Sequence, residues 1–279
     1  MKVKVKIPAK INLTLDITGV KDGYHTLSSL VTSADIFDEV ILHKREDDAV
    51  TLNFTGKPAG VDGQSSLAHR AARLFMSEFS TAGADIEIKR NIPAGGGLGG
   101  SSADVAGVLL GMKKLYGVTR DMTALANSLG SDTAYMLGGG YAVLSGRGDK
   151  VTPLNGIKRK FYLLIITGSR GVSTGECYAE FDKSGKICRP HTEVAARLLY
   201  EWDEKNFFDT LKNDLFDSAA KLLPEIADNL AALRNYGAAS MTGSGSAVFG
   251  IYTAARERDA AYKALLPRFG ASLIRAKTV

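Results

Sequence analysis

Thirteen residues of this chain have the make-up of a phosphate site: Ile92-Pro93-Ala94-Gly95-Gly96-Gly97-Leu98-Gly99-Gly100-Ser101-Ser102-Ala103-Asp104. Glycines let backbone approach an anion closely, and successive N–H groups in such a loop point into one concavity. The run that follows carries apolar residues at helical spacing, so its first turn adds unpaired N–H donors and the positive end of a dipole. Ser101 and Ser102 bring hydroxyls to the same place, as caps, as phosphate donors or near a metal. Five glycines in the six residues from Gly95 to Gly100 argue against a plain flexible turn.

Four further places carry side chains with chemical potential. Lys10 and Asn12 lie side by side on the polar face of an alternating amino-terminal run, where most lysines simply meet solvent. Tyr24 and His25 follow an Asp22-Gly23 turn; such a pair packs, or sets a flat ring and a ring nitrogen against a nucleobase. Asp132 comes after Gly130-Ser131, a place where Asp caps a helix or forms a turn. The glycine-rich strand entry Gly138-Gly139-Gly140 next to it points instead to a buried functional carboxylate. Thr242-Gly243-Ser244-Gly245-Ser246 repeats the glycine-serine composition late in the chain.

The elements that must position these residues are read from periodicity. Odd positions from Val3 to Ile17 are apolar and most even ones polar, which predicts extended chain with one buried face and a break or edge position at Pro8. Asp-Gly is a hairpin signal, so Tyr24 starts a return strand. Residues 35–45 and 49–54 read as a strand pair joined by the charged turn Arg45–Asp48. A helix is predicted over 65–79, then a strand over Ala84–Arg90, the loop with its helix, and a helix over 119–129 stopped by Gly130. After a boundary between Asp149 and Lys160 come a core strand, Phe161–Thr167, and helical runs over 191–236. The second glycine-serine turn lies between strands, followed by a helix over 254–267 and a strand over 272–277. The domains predicted are 1–155 and 156–279.

Composition narrows the function classes. A chain of 279 residues with 45% hydrophobic and 23% charged content reads as soluble and globular. Its +5 charge reflects 35 basic against 30 acidic residues without a dense basic block, so a phosphorylated small molecule is favoured over nucleic acid. Cys177 and Cys188 are too few for a disulfide scaffold and lack metal-ligand spacing. No apolar run is long enough to span a bilayer. A cytoplasmic protein is expected.

Three motifs in fixed order carry a resemblance: Pro8-Ala9-Lys10-Ile11-Asn12-Leu13 with Asp22-Gly23-Tyr24-His25, then Pro93 to Asp104, then Met241 to Phe249. The chain resembles the GHMP kinase superfamily along essentially its whole length. Within that superfamily it is most similar to the 4-diphosphocytidyl-2-C-methyl-D-erythritol kinase family. The resemblance implies an α+β fold of two domains, ribosomal-protein-S5-like then ferredoxin-like, with the active site in the cleft. It implies ATP-dependent phosphorylation of a cytidine-diphosphate-linked methylerythritol in isoprenoid precursor synthesis, with Mg2+ accompanying ATP and no side-chain metal ligands assigned. Lys10 and Asp132 match the catalytic pair. Tyr24, His25 and Tyr178 match the cytosine-binding residues, and Asn12, Thr174 and Gly243 fall on the substrate side. Pro93, Ala94, Gly95, Gly96, Gly97, Leu98, Gly99, Gly100, Ser101 and Ser102 match the ATP phosphate loop, and Ser66 falls on the adenine side. The protein is expected to act as a monomer or weak homodimer, without nucleic acid or membrane.

The chain departs from the family pattern at three points: the serine pair is moved one place earlier or Ser101 stands where glycine is usual, Thr133-Ala134 replaces Val-Pro, and Ser65-Ser66 replaces Asp-Asn. A mevalonate- or homoserine-type kinase, a non-catalytic nucleotide-binding paralogue and a nucleic-acid binder are the competing readings.

Overall fold

The computed structural model describes residues 1–57, 65–183 and 190–279; Cys188 lies outside the described residues. In chain order the elements are β1 (Lys2–Asn12), β2 (Asp16–Lys21), β3 (Tyr24–Lys44), β4 (Val50–Gly56), α1 (Leu67–Phe79), β5 (Ala84–Arg90) and α2 (Gly100–Tyr116). Then follow α3 (Thr123–Leu129), α4 (Thr133–Gly138), β6 (Ala142–Gly146), β7 (Lys150–Pro153), β8 (Tyr162–Ile166) and α5 (Thr174–Asp182). The last are α6 (Thr192–Glu201), α7 (Glu204–Asp209), α8 (Phe216–Leu222), α9 (Glu225–Arg234), β9 (Ala238–Met241), β10 (Val248–Tyr252), α10 (Ala255–Phe269) and β11 (Leu273–Lys277). Among the described residues no helix is long and apolar enough to cross a membrane.

Two compact units share the chain in interleaved pieces. The first comprises Met1–Ala9, Ile36–Ala94 and Gly99–Gly139; the second comprises Lys10–Asp35, Gly95–Leu98 and Gly140–Val279. This grouping does not follow the chain-order division at 155. The physical reason is that β1 and β3 are long strands whose two ends serve different units.

In the first unit β5 pairs in parallel with β4 and antiparallel with the far end of β3, opposing Val40 to Ile88 and Leu42 to Ile86. The hairpin predicted between residues 35–45 and 49–54 is therefore corrected, because β5 lies between its two arms. The local chemistry shows why. Gly83 N–H donates to the Asp47 carbonyl and Arg45 N–H to the Gly83 carbonyl, while Arg45 binds both Asp47 and Asp85. The charged turn thus grips the start of β5 rather than closing on itself. Helices α1 and α2 bury Ala71, Ala72 and Phe75, and Val105, Val108, Leu109 and Met112, respectively. The helix predicted over 119–129 begins at Thr123 and ends at Gly130 as expected.

In the second unit four antiparallel strands stand in the order β11-β8-β10-β9. With α5 to α9 after β8 and α10 before β11, this is the strand order of the ferredoxin-like βαββαβ unit. Its core gathers Leu164 and Ile166 of β8, Val248 of β10, Met241 of β9 and Ile226, Leu230 and Leu233 of α9. The Asp22-Gly23 hairpin forms as expected: both residues have positive φ, 52° and 76°, and Lys21 pairs with Tyr24.

Of the two outcomes predicted at Pro8, a break or an edge position, the second is found: the strand is unbroken there and its pairing partner is β3. β1 runs through Pro8 to Asn12, since proline's φ suits extended chain and only one ladder donor is lost. The irregularity comes at Leu13–Leu15, where the Leu13 and Thr14 N–H groups both donate to the Leu30 carbonyl and Leu15 N–H donates to Lys212.

Candidate active site

Within the first unit, the strand entering the glycine loop and the helix leaving it are tied together at their bases. Arg90, the last residue of β5, donates from Nε to Asp104 Oδ2 at 2.9 Å, and both side chains are buried. The Arg90 guanidinium also lies 3.8 Å from the Phe54 ring centroid. Asp38 accepts from the Asn91 and Ile92 N–H groups at 2.6 and 2.8 Å, holding the first residues of the loop. Burial pushes the Asp38 carboxyl up, opposed by those same two donors. Breaking a buried ion pair by removing one charge is strongly destabilising, so Asp104→Ala lowers the unfolding free energy by about 3–5 kcal/mol. A fall in the urea midpoint at unchanged slope checks this.

Gly99 opens α2 in the left-handed conformation, φ 79°, and contributes no side-chain cap to the first turn. Ser101 is exposed and Ser102 half-buried there. A Cβ placed on Gly130 would sit 3.8 Å from Ser102 Oγ, so the turn bearing Asp132 approaches the start of α2. Asp132 occupies the N-cap position of α4, yet its carboxylate makes no capping hydrogen bond. Ser66 is buried and its Oγ accepts from His69 N–H at 3.2 Å, capping α1. Pro93 and Ala94 also fall in this unit.

Within the second unit, the loop segment Gly95–Leu98 is stitched down by its carbonyls. Those of Gly95 and Gly96 accept from Ser246 and Ala247 N–H at 3.2 and 3.3 Å, and that of Leu98 accepts from Lys10 N–H at 2.9 Å. Gly97 O accepts from Thr242 Oγ1 at 3.2 Å. A trans peptide sets its N–H opposite its carbonyl, so the N–H groups of Gly96, Gly97, Leu98 and Gly99 face away from these partners. Gly97 is essential to the stitching: its φ is 72°, and a Cβ there would stand 2.2 Å from Thr242 O.

Asn12, placed on the substrate side by the resemblance, is also a structural bond-maker. It is buried, its Nδ2 donates to Ser29 Oγ at 2.8 Å, its Oδ1 accepts from Gly243 N–H at 3.0 Å, and its backbone N–H donates to Thr242 Oγ1 at 3.0 Å. It is the strut that holds the Thr242–Ser246 turn to β1, and Gly243's N–H is spent on it. Asn213 braces the other side, donating to the Met241 and Gly243 carbonyls. Lys10 is 4% exposed, whereas Lys2, Lys4 and Lys6 on the same strand are solvated. A lysine is rarely so deeply buried without a charged task.

The aromatic residues group around His25. Its ring stacks on Tyr178 with centroids 4.6 Å apart, and Nε2 lies 2.7 Å from Asp182 Oδ1. Tyr24 is half-exposed, with the Arg147 guanidinium 3.7 Å from its ring centroid. Thr174 Oγ1 and Ser244 Oγ share a hydrogen bond of 3.0 Å. Reasoning from sequence missed Arg147 and Asp182; the Gly146-Arg147-Gly148 turn was the available signal for the first, and nothing local marked the second. Cys177 is buried among apolar groups, which pushes its thiol up to about 11 and leaves it unreactive.

The GHMP kinases N terminal domain family matches residues 66–146, and the GHMP kinases C terminal family matches residues 195–272. A 4-diphosphocytidyl-2-C-methyl-D-erythritol kinase of Bacillus cereus (strain AH187) is 33% identical over 258 residues, covering 90% of this chain and 88% of its own. The chain belongs to the GHMP kinase family. A crystal structure of 4-(cytidine 5'-diphospho)-2C-methyl-D-erythritol kinase superposes with a TM-score of 0.82 at 28% identity, covering 99% of both chains. Homoserine kinase from Cytophaga hutchinsonii superposes with a TM-score of 0.74 at 18% identity, covering 100% of this chain and 94% of its own, which speaks to fold alone. This GHMP kinase thus has the two-domain mixed α/β architecture of its family.

Proposed function

We propose that this GHMP kinase transfers the γ-phosphoryl group of ATP to the 2-hydroxyl of 4-diphosphocytidyl-2-C-methyl-D-erythritol, a step of non-mevalonate isoprenoid precursor synthesis. The observation that carries the reading is the setting of His25. A ring nitrogen held by a carboxylate and backed by a tyrosine, beside the exposed Tyr24, suits the edge and faces of a nucleobase. The Bacillus cereus relative, of comparable length, is a kinase for that cytidyl alcohol.

In this reading the outward N–H groups of Gly96 to Gly99 and the first turn of α2 take the triphosphate. Asp132 accepts the proton of the attacking hydroxyl, and the Lys10 ammonium stabilises negative charge on that oxygen. Phosphoryl transfer asks mainly for such positioning and charge stabilisation. Among the described residues no cluster of three His, Cys, Asp or Glu side chains could hold a metal. Mg2+ would be held by phosphate oxygens and water, with the Ser101 or Ser102 hydroxyl, and would supply charge neutralisation on the transferred group. His25, Tyr24 and Tyr178 select cytosine, with Thr174, Asn12 and Gly243 toward the rest of the substrate and Ser66 on the adenine side. The division at 155 is retained as the boundary of the two family domains, since the family matches end at 146 and resume at 195.

The test is ATP turnover with the cytidyl alcohol, mevalonate and homoserine side by side. Phosphorylation of the cytidyl alcohol alone is expected. Preference for either of the others would reassign the enzyme within the superfamily. Tight ATP binding with no turnover on any of them would mark a nucleotide sensor.

A further inference from the structure

Helix α5 presents one face to the base-reading histidine. Thr174, Tyr178, Phe181 and Asp182 follow one another at helical spacing of i, i+4, i+7 and i+8, so they share a side. Three of the four hold His25. Tyr178 covers one ring face at 4.6 Å and 24°, and Phe181 meets the ring edge-on at 6.1 Å and 84°. Asp182 Oδ1 lies 2.7 Å from Nε2. The histidine ring is fixed in plane, in rotation and at one nitrogen.

That contact also decides where the ring's proton sits. A carboxylate oxygen only accepts, so the 2.7 Å contact requires the hydrogen on Nε2. In the neutral imidazole the lone pair is then on Nδ1, and the ring offers an acceptor to whatever lies on its other side. Cytosine and uracil differ there in kind. Cytosine carries a 4-amino donor, uracil a 4-oxo acceptor. An Nδ1 acceptor bonds the first and opposes the second.

We infer that Asp182 is a positioning residue that sets base specificity: by fixing the tautomer and orientation of His25, it makes the site read the 4-amino group of cytosine. The inference rests on the cytidyl reading above and names the group that enforces it. Asp182 is 58% exposed at the end of α5, so replacing it leaves the core untouched. Groups that orient a functional histidine typically act with an effect of about 10- to 100-fold.

The test has two arms. Calorimetric titration of wild type, Asp182→Ala and Asp182→Asn with CDP and with UDP reads base selection. CDP preference in wild type, about a 10- to 100-fold loss of CDP affinity in Asp182→Ala with a collapsed CDP-to-UDP ratio, and partial recovery in Asp182→Asn are expected. Nitrogen-15 imidazole spectra of the unliganded proteins read the tautomer directly: Nε2 protonated in wild type, a mixture in Asp182→Ala. CDP preference that survives intact in Asp182→Ala, or a wild-type ring protonated at Nδ1 alone, overturns the inference while leaving the cytidyl reading in place. A wild type that binds UDP as well as CDP overturns the cytidyl reading and the inference with it.

Discussion

Asp132→Asn lowers kcat by about 10²- to 10⁴-fold, the usual worth of a positioned general base. At about 1.4 kcal/mol per factor of ten, that raises the barrier by roughly 3–5 kcal/mol. The geometry makes this variant informative. Asp132 stands where a helix cap would stand, but its carboxylate makes no cap bond to α4. Asparagine keeps the shape and removes the charge and basicity, so the fold carries no cap penalty at α4. KM for ATP should move little if, as proposed, the glycine loop and the first turn of α2 take the triphosphate. Steady-state kinetics with a parallel urea titration checks both halves. Near-wild-type kcat in a folded Asp132→Asn protein removes Asp132 as the base.

Gly97→Ala raises KM for ATP by at least about 100-fold. Two costs act together at this residue. Its φ of 72° lies in the left-handed region, and a Cβ would approach Thr242 O to 2.2 Å. The first costs about 1–2 kcal/mol by itself. The second cannot be met by rotating a side chain, since the obstructing atom is backbone held by the Asn12 strut. The loop must lift from the Thr242–Ser246 turn, and the N–H row loses its aim. Gly117→Ala is the matched control. It has nearly the same φ, 67°, but nothing within 4 Å of the added carbon, so it bears the backbone strain without the collision. ATP titration of both variants separates the two effects: Gly117→Ala binds ATP as wild type does, and Gly97→Ala does not. Equal behaviour of the pair would mean that strain alone matters and that the stitched loop is not what holds the triphosphate.

Both predictions depend on features that differ in how far the sequence reveals them. The glycine loop, the Asp22-Gly23 hairpin and Asp132 after Gly130 were visible as local composition, because turns and caps are governed by the φ preferences of a few adjacent residues. Lys10 could not be told from Lys2, Lys4 and Lys6 by pattern alone. All four alternate with apolar neighbours, yet burial alternates only as far as Pro8, and from Ala9 to Ile17 both faces are covered. A period of two reports one buried face and is silent about what covers the other. The placing of β5 between β3 and β4 was hidden for a related reason. Strand neighbours are chosen by packing across the sheet, and the charged turn at Arg45–Asp48 looks the same whether it closes a hairpin or grips a third strand.

By itself the sequence determined most of the strands and helices, though not α4, β7 or α5, and it determined where the glycine loop lies, the family, and the residue types available for catalysis. Those properties follow from short-range periodicity and from motifs a few residues long. Only the tertiary structure decided how the residues are used. It made Asn12 a strut for a turn 230 positions away and set Asp182 on a histidine 157 positions before it. It also turned the loop carbonyls inward so that their N–H groups face out. Each of these is a pairing of polar groups distant in the chain, and no local preference encodes a partner that only folding brings within hydrogen-bond reach.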